Sequence, residues 1–93
     1  MTDEDPVHLP IEDSIDLHTF APADIPAVVD AYLEAAREAG FAEVRVIHGR
    51  GKGVQKERVR QVLARSEQVL HFEEATPERG GWGATVVKLK ARD

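Results

Sequence analysis

Between Pro22 and Ala39 the apolar residues fall at Ile25, Val28, Val29, Tyr32, Leu33 and Ala36. That is the i, i+3, i+4, i+7, i+8, i+11 spacing of one helix face, and it predicts an amphipathic helix. Pro22 or Pro26 suits the first turn, where backbone donors lack partners anyway; Asp24 can cap that turn, and Gly40 suits a left-handed stop. Upstream, "SIDLHTF" alternates Ile15 and Leu17 with Asp16 and His18, the mark of a short strand with one apolar side. Downstream, "EVRVIH" reads as a β-branched strand and "GRGKG" as a loop. Val54 to about Ser66 then reads as a second helix with Val59, Val62 and Leu63 on its apolar face. "VLHFEEA" and "ATVVKLK" are two further strands, joined by "TPERGGWG". Residues 1–12 mix charges with Pro6 and Pro10 and have no apolar period, so they are expected to form a flexible or loosely docked acidic arm ahead of a domain at 13–93.

The predicted order is strand, helix, strand, helix, strand, strand. Two strand–helix–strand crossovers in succession imply parallel neighbours and right-handed connections. Two helices can cover only one face of a four-stranded sheet. The expected fold class is therefore a two-layer α/β domain, β-α-β-α-β-β, with a mixed sheet, both helices on one face and the other face open. At 93 residues the chain has room for one domain and none for a separate catalytic one. No apolar run approaches the roughly 20 residues of a membrane span. The acidic N-terminus is unlike a signal peptide, and with no cysteine a disulfide framework is ruled out, so a cytoplasmic location is expected.

The net charge of −5 argues by itself against binding a polyanion, but its distribution reverses that inference. Residues 1–43 hold eleven Asp or Glu against Arg37 alone, net −10; residues 44–65 hold seven Arg or Lys against Glu57, net +6; the rest is near neutral at −1. The positive charge sits in the "GRGKG" loop and the helix after it, the asymmetry expected for an anionic partner.

That loop leaves the carboxyl end of a predicted strand and enters a helix N-terminus, where unpaired amides and the helix dipole favour a phosphate. Gly49, Gly51 and Gly53 alternate, which is not the dinucleotide fingerprint, and Lys52 precedes Gly53 where a nucleotide P-loop has Ser or Thr. His18 and His48 both lie at carboxyl ends of predicted strands, where open α/β sheets place their ligands. A pair of imidazoles beside a phosphate loop could act as general acid and base. Asp16 shares a side of its strand with His18 and could orient it, hold a divalent metal, or simply be solvated. One carboxylate and scattered histidines are too few ligands for a dedicated metal site, so none is expected, with Mg²⁺ the one cofactor left open.

"IDLH" (Ile15 to His18), "VIHGRGKG" and "GGWGATVVKL", in this order and at these separations, resemble the Smr (small MutS-related) domain over roughly residues 13–90. The resemblance implies a fold similar to the C-terminal domain of a bacterial translation initiation factor and nuclease activity on DNA or RNA. Its Leu-Asp-x-His motif maps onto Ile15, Asp16, Leu17 and His18, and its His-Gly-x-Gly motif onto His48, Gly49, Arg50 and Gly51. The glycine that many members carry after the first histidine is Thr19 here, whose side chain narrows the approach. The function expected is binding of DNA or RNA and cleavage of phosphodiester bonds, with His48 and His18 transferring protons and Asp16 orienting them. The phosphate would be held by Arg50, Lys52, Lys56 and the amides of Gly49, Gly51 and Gly53. Trp82, in a glycine-rich loop, could stack an unpaired base or cap the end of the core, the second being the expectation. The rival readings are a nucleic-acid-binding module without catalysis and a protein-interaction domain using acidic Asp30, Glu34 and Glu38. Which histidine takes which role, and the oligomeric state, stay open.

Overall fold

In the computed structural model, which describes residues 11–49 and 53–91, the predicted elements follow in the predicted order. They are β1 (Ser14–Asp16), α1 (Ile25–Glu38), β2 (Glu43–Ile47), α2 (Val54–Arg65), β3 (Val69–Glu74) and β4 (Ala84–Leu89), with 3₁₀ turns at Pro22–Asp24, Pro77–Arg79 and Gly81–Gly83. Of the expected N-terminal arm, residues 1–10 lie outside the described residues. Glu12 and Asp13 are tied down, the Tyr32 hydroxyl donating to the Glu12 carbonyl at 2.6 Å and the Arg45 amide to the Asp13 carbonyl at 2.9 Å.

Helix α1 buries Ile25, Val29, Tyr32, Leu33 and Ala36, with Val28 half-buried at the margin of the stripe. Asp24 does not cap it through its side chain. Its backbone already has helical angles (φ −89°, ψ −13°) because it closes the preceding 3₁₀ turn, whereas a side-chain cap needs an extended residue. The C-terminus closes as a Schellman motif: the Phe41 amide donates to the Ala36 carbonyl and that of Gly40 to Arg37, both at 3.0 Å, with Gly40 at φ +93°. A Cβ built on Gly40 meets nothing within 4 Å, so Gly40→Ala is opposed by backbone strain alone. The expected loss is about 1 kcal/mol in urea unfolding, and less for Gly40→Asn, which tolerates this conformation better.

The sheet order is β1-β2-β4-β3. β1 and β2 are parallel, with Asp16 opposite Ile47, and β4 is antiparallel to both β2 and β3. Here the structure corrects the expected pairing. β2 and β3 run in the same direction across their crossover, but β4 lies between them. The reason is burial: Ala84, Thr85, Val86, Val87 and Leu89 of β4 are all buried, so that strand takes the centre, while β3, with exposed Leu70, His71, Glu73 and Glu74, takes an edge.

Both helices cover one face. Ile25, Val29 and Leu33 of α1 and Val59, Val62 and Leu63 of α2 share one core with Val44, Val46, Val87 and Leu89. By strand alternation Ile47, Ala84 and Val86 point to the opposite face, where they form a small cluster with Ala75 that neither α1 nor α2 covers. A two-layer α/β domain with one open sheet face is thus the observed architecture.

Candidate functional site

The amide of Leu17 donates to the Ile47 carbonyl at 2.9 Å, extending the β1–β2 pairing by one residue. His18 and His48 therefore emerge at the same end of the sheet, from adjacent strands. Their surroundings differ. Val44, Val46 and His48 share a parity and face the helices, whereas Asp16, opposite Ile47, faces the open side and His18 lies in the turn that follows β1.

His48 is only 6% exposed. Its Nδ1 lies 3.0 Å from the Gly49 carbonyl, which can only accept, so Nδ1 carries the proton. Nε2 lies 3.0 Å from the hydroxyl of Thr85, a side chain with no exposure, and in the neutral ring accepts that hydroxyl's proton. Burial pushes the His48 pKa below its ordinary value of 6.5; the Gly49 carbonyl opposes this, and the charges of Lys56 and Arg60 reinforce it. Both ring nitrogens are thus engaged inside the protein, and the ring is held neutral.

His18 is placed differently. Its side chain is 73% exposed, and its Nδ1 lies 2.7 Å from Oδ1 of Asp16, an oxygen that also accepts the backbone amide of His18 at 3.0 Å. Those bonds, the backbone one first, hold the Asp16 carboxyl below its usual pKa. With Nδ1–H donated to a carboxylate, the neutral ring presents Nε2 as a lone pair, and among the described residues none bonds to it.

The loop after β2 is anchored from the other end of the chain. The amides of His48 and Gly49 both donate to the Gly83 carbonyl, at 3.0 and 2.9 Å, so "HGRG" and "GGWG" are stitched together. The Gly49 amide, expected to face a phosphate, is therefore already engaged, and Gly49 (φ +83°) contributes the turn instead. Arg50, Gly51 and Lys52 lie outside the described residues. Gly53 (φ +84°) opens α2, where a surface hollow of about 430 Å³ is lined by Gly53, Val54, Glu57, Arg58 and Gln61.

Trp82 belongs to neither core cluster and is 39% exposed, so it does not cap the core as expected. Nζ of Lys56 sits 4.3 Å from its ring centroid and 2.9 Å from Oε1 of Glu74. On the open face, Arg45, Ile47, Gly49, Arg79, Gly80 and Ala84 help line a cavity of about 360 Å³. Arg45 donates to the Arg79 carbonyl at 3.0 Å and Arg79 to Glu43 at 2.9 Å, so these guanidiniums are held at the cavity wall. Thr85, Gly83, Glu74, Arg45 and Arg79 were not legible as site residues, although Thr85 gave a signal. A lone hydroxyl on the face it shares with Val87 and Leu89 needs a buried partner.

Among the described residues no three His, Asp or Glu side chains are grouped to hold a metal. Asp16 is the carboxylate beside His18, and His18 already engages one of its oxygens. No helix among the described residues is long and apolar enough to cross a membrane.

The Smr domain family model matches residues 15–90, a span that takes in the dyad, the loop and β4. The chain belongs to the Smr domain family. It is 38% identical over 76 residues to the Endonuclease MutS2 of Thermus thermophilus and 37% identical over 87 residues to that of Aquifex aeolicus, covering 82% and 90% of this chain. This Smr domain spans only 10% and 11% of the length of those two relatives. Its structure is similar to the crystal structure of the Smr domain of Thermus thermophilus MutS2, with a TM-score of 0.80 at 37% identity over 85% of this chain and 99% of that one. It also resembles YdaL, a stand-alone small MutS-related protein of Escherichia coli, with a TM-score of 0.79 at 25% identity over 87% of this chain and 66% of the other.

Proposed function

We propose that this Smr domain binds DNA or RNA in the cytoplasm through the loop at residues 48–53 and cleaves phosphodiester bonds, with His18 as the proton acceptor. The observation that carries the reading is the 2.7 Å contact between Asp16 and His18 Nδ1, which holds an exposed imidazole by one nitrogen at the sheet end where the glycine-rich segment after β2 also begins. Kinship with proteins named Endonuclease MutS2 supports the reaction class.

In this mechanism Nε2 of His18 takes the proton of the attacking water, or of a ribose 2′-hydroxyl in RNA. The freed oxygen forms a bond to phosphorus, the opposite P–O bond breaks, and its electron pair departs with the leaving oxygen, which takes a proton from solvent. Asp16 stabilises the imidazolium that forms. Arg50 and Lys52 would neutralise the non-bridging oxygens. His48 has no free nitrogen for this work; it fixes the start of the loop through Gly49 and Thr85.

The test is incubation of purified protein with labelled RNA, single-stranded DNA and supercoiled plasmid, each with and without Mg²⁺. Cleavage of at least one substrate that disappears in His18→Ala is expected. Binding to all of them with cleavage of none would replace this reading by that of a binding module. Binding should also weaken with salt, each neutralised phosphate contributing a slope of about −0.7 on single strands or −0.9 on duplex DNA in log K against log salt. Arg50→Ala and Lys52→Ala are each expected to reduce that slope by about one unit in a salt titration.

A further inference from the structure

We propose that Trp82 and Lys56 form a shelf for one unpaired base, so that the site selects single-stranded or locally unpaired nucleic acid over intact duplex. The inference rests on the nucleic-acid reading above and specifies its substrate.

Trp82 is the chain's one tryptophan. It stands on the short turn Gly81–Gly83, whose carbonyl at Gly83 accepts the amides of His48 and Gly49, so the indole and the start of the loop are tied to one turn. An indole left 39% exposed, outside both core clusters, keeps part of its ring open to solvent. It is nevertheless held. The Lys56 ammonium over its ring is itself fixed by Glu74, and the Lys56 side chain is largely buried, leaving a cation that braces the ring. Gly53 completes the seat: a Cβ there would stand 3.2 Å from Cη2 of the indole, so a glycine lets the start of α2 come up against the ring.

The occupant follows from charge and shape. The shelf adjoins the segment 44–65, whose net charge is +6, which draws a polyanion. A polyanion that also offers flat aromatic faces is a nucleic acid. In a duplex each base is covered on both faces by its neighbours, so only an unstacked base can meet the indole, while duplex phosphates would reach the loop and leave Trp82 untouched.

The sole tryptophan makes the test direct. Its fluorescence is expected to be quenched saturably by a short single strand of DNA or RNA, and not by the same sequence as a blunt duplex or by poly-glutamate. In anisotropy titrations with labelled strands, Trp82→Ala should bind the single strand about 5- to 150-fold more weakly, the range for loss of one stacked base, with duplex binding unchanged. Trp82→Phe, which keeps a stacking face, should restore most of the affinity. The shelf is overturned if the wild type binds single strands with no change in indole signal, if poly-glutamate quenches equally, or if Trp82→Ala weakens duplex and single strand alike. A wild type that binds no nucleic acid in anisotropy overturns the nucleic-acid reading itself and the shelf with it.

Discussion

His18→Ala is expected to slow phosphodiester cleavage by about 10²- to 10⁴-fold, the usual contribution of a positioned acid–base group, without disturbing the fold. The side chain is mostly exposed and lies outside both core clusters, and among the described residues its ring bonds only Asp16, so its loss opens no cavity. Binding of substrate, measured by anisotropy, should barely change, because phosphate is held elsewhere. Initial rates at saturating substrate should therefore carry the whole effect. Asp16→Asn should slow the reaction too, since a neutral amide cannot stabilise the imidazolium, again with little change in KM. A His18→Ala protein that cleaves as fast as the wild type, with contaminating nuclease excluded, would remove the dyad from the mechanism.

The dyad was legible in the sequence because its geometry is local. A carboxylate two residues before a histidine can reach both its backbone amide and its ring in the turn that follows a strand, as Asp16 does. The helix faces were legible for the same reason, the 3.6 period fixing which side of α1 and α2 packs. The strand order was not, because pairing is decided between segments far apart in sequence. Even so, "ATVVKL" carries apolar side chains on both faces, the composition of a central strand, and "VLHFEE" carries charge on its exposed positions, the composition of an edge. What hid the burial of His48 was its chemistry. Histidine at a strand end beside glycines suggests a reactive group, while the parity it shares with Val44 and Val46 points into the core. Trp82 misled in the opposite direction: large aromatics are usually buried, and the Lys56–Glu74 pair at its ring, with Gly53 against its edge, explains how a partly exposed one is held.

Replacing His48 is expected to affect stability more than chemistry, and in a pH-dependent way. His48→Ala removes a buried ring and strands the Thr85 hydroxyl without a partner, losses that together should come to about 3 kcal/mol in denaturant unfolding. For a domain of this size that is a large share of the total. The pH dependence follows from burial, which holds the folded ring's pKa below its ordinary 6.5. As pH falls through that value, the unfolded chain binds a proton that the folded chain does not, so the folded state loses stability until the lower, folded pKa is reached. The slope from this one group is at most about 1.4 kcal/mol per pH unit. His48→Gln cannot titrate, so its deficit relative to the wild type should be widest at about pH 7.5 and should narrow towards about pH 5.5. A deficit equal at both pH values would mean that the ring is not held neutral in the folded protein. If His48→Gln, assayed at pH 7.5 where enough of it is folded, still cleaves while His18→Ala does not, the two histidines are separated by role as they are by burial. One anchors the loop from inside the sheet's covered side, and the other acts on substrate from the exposed turn after β1.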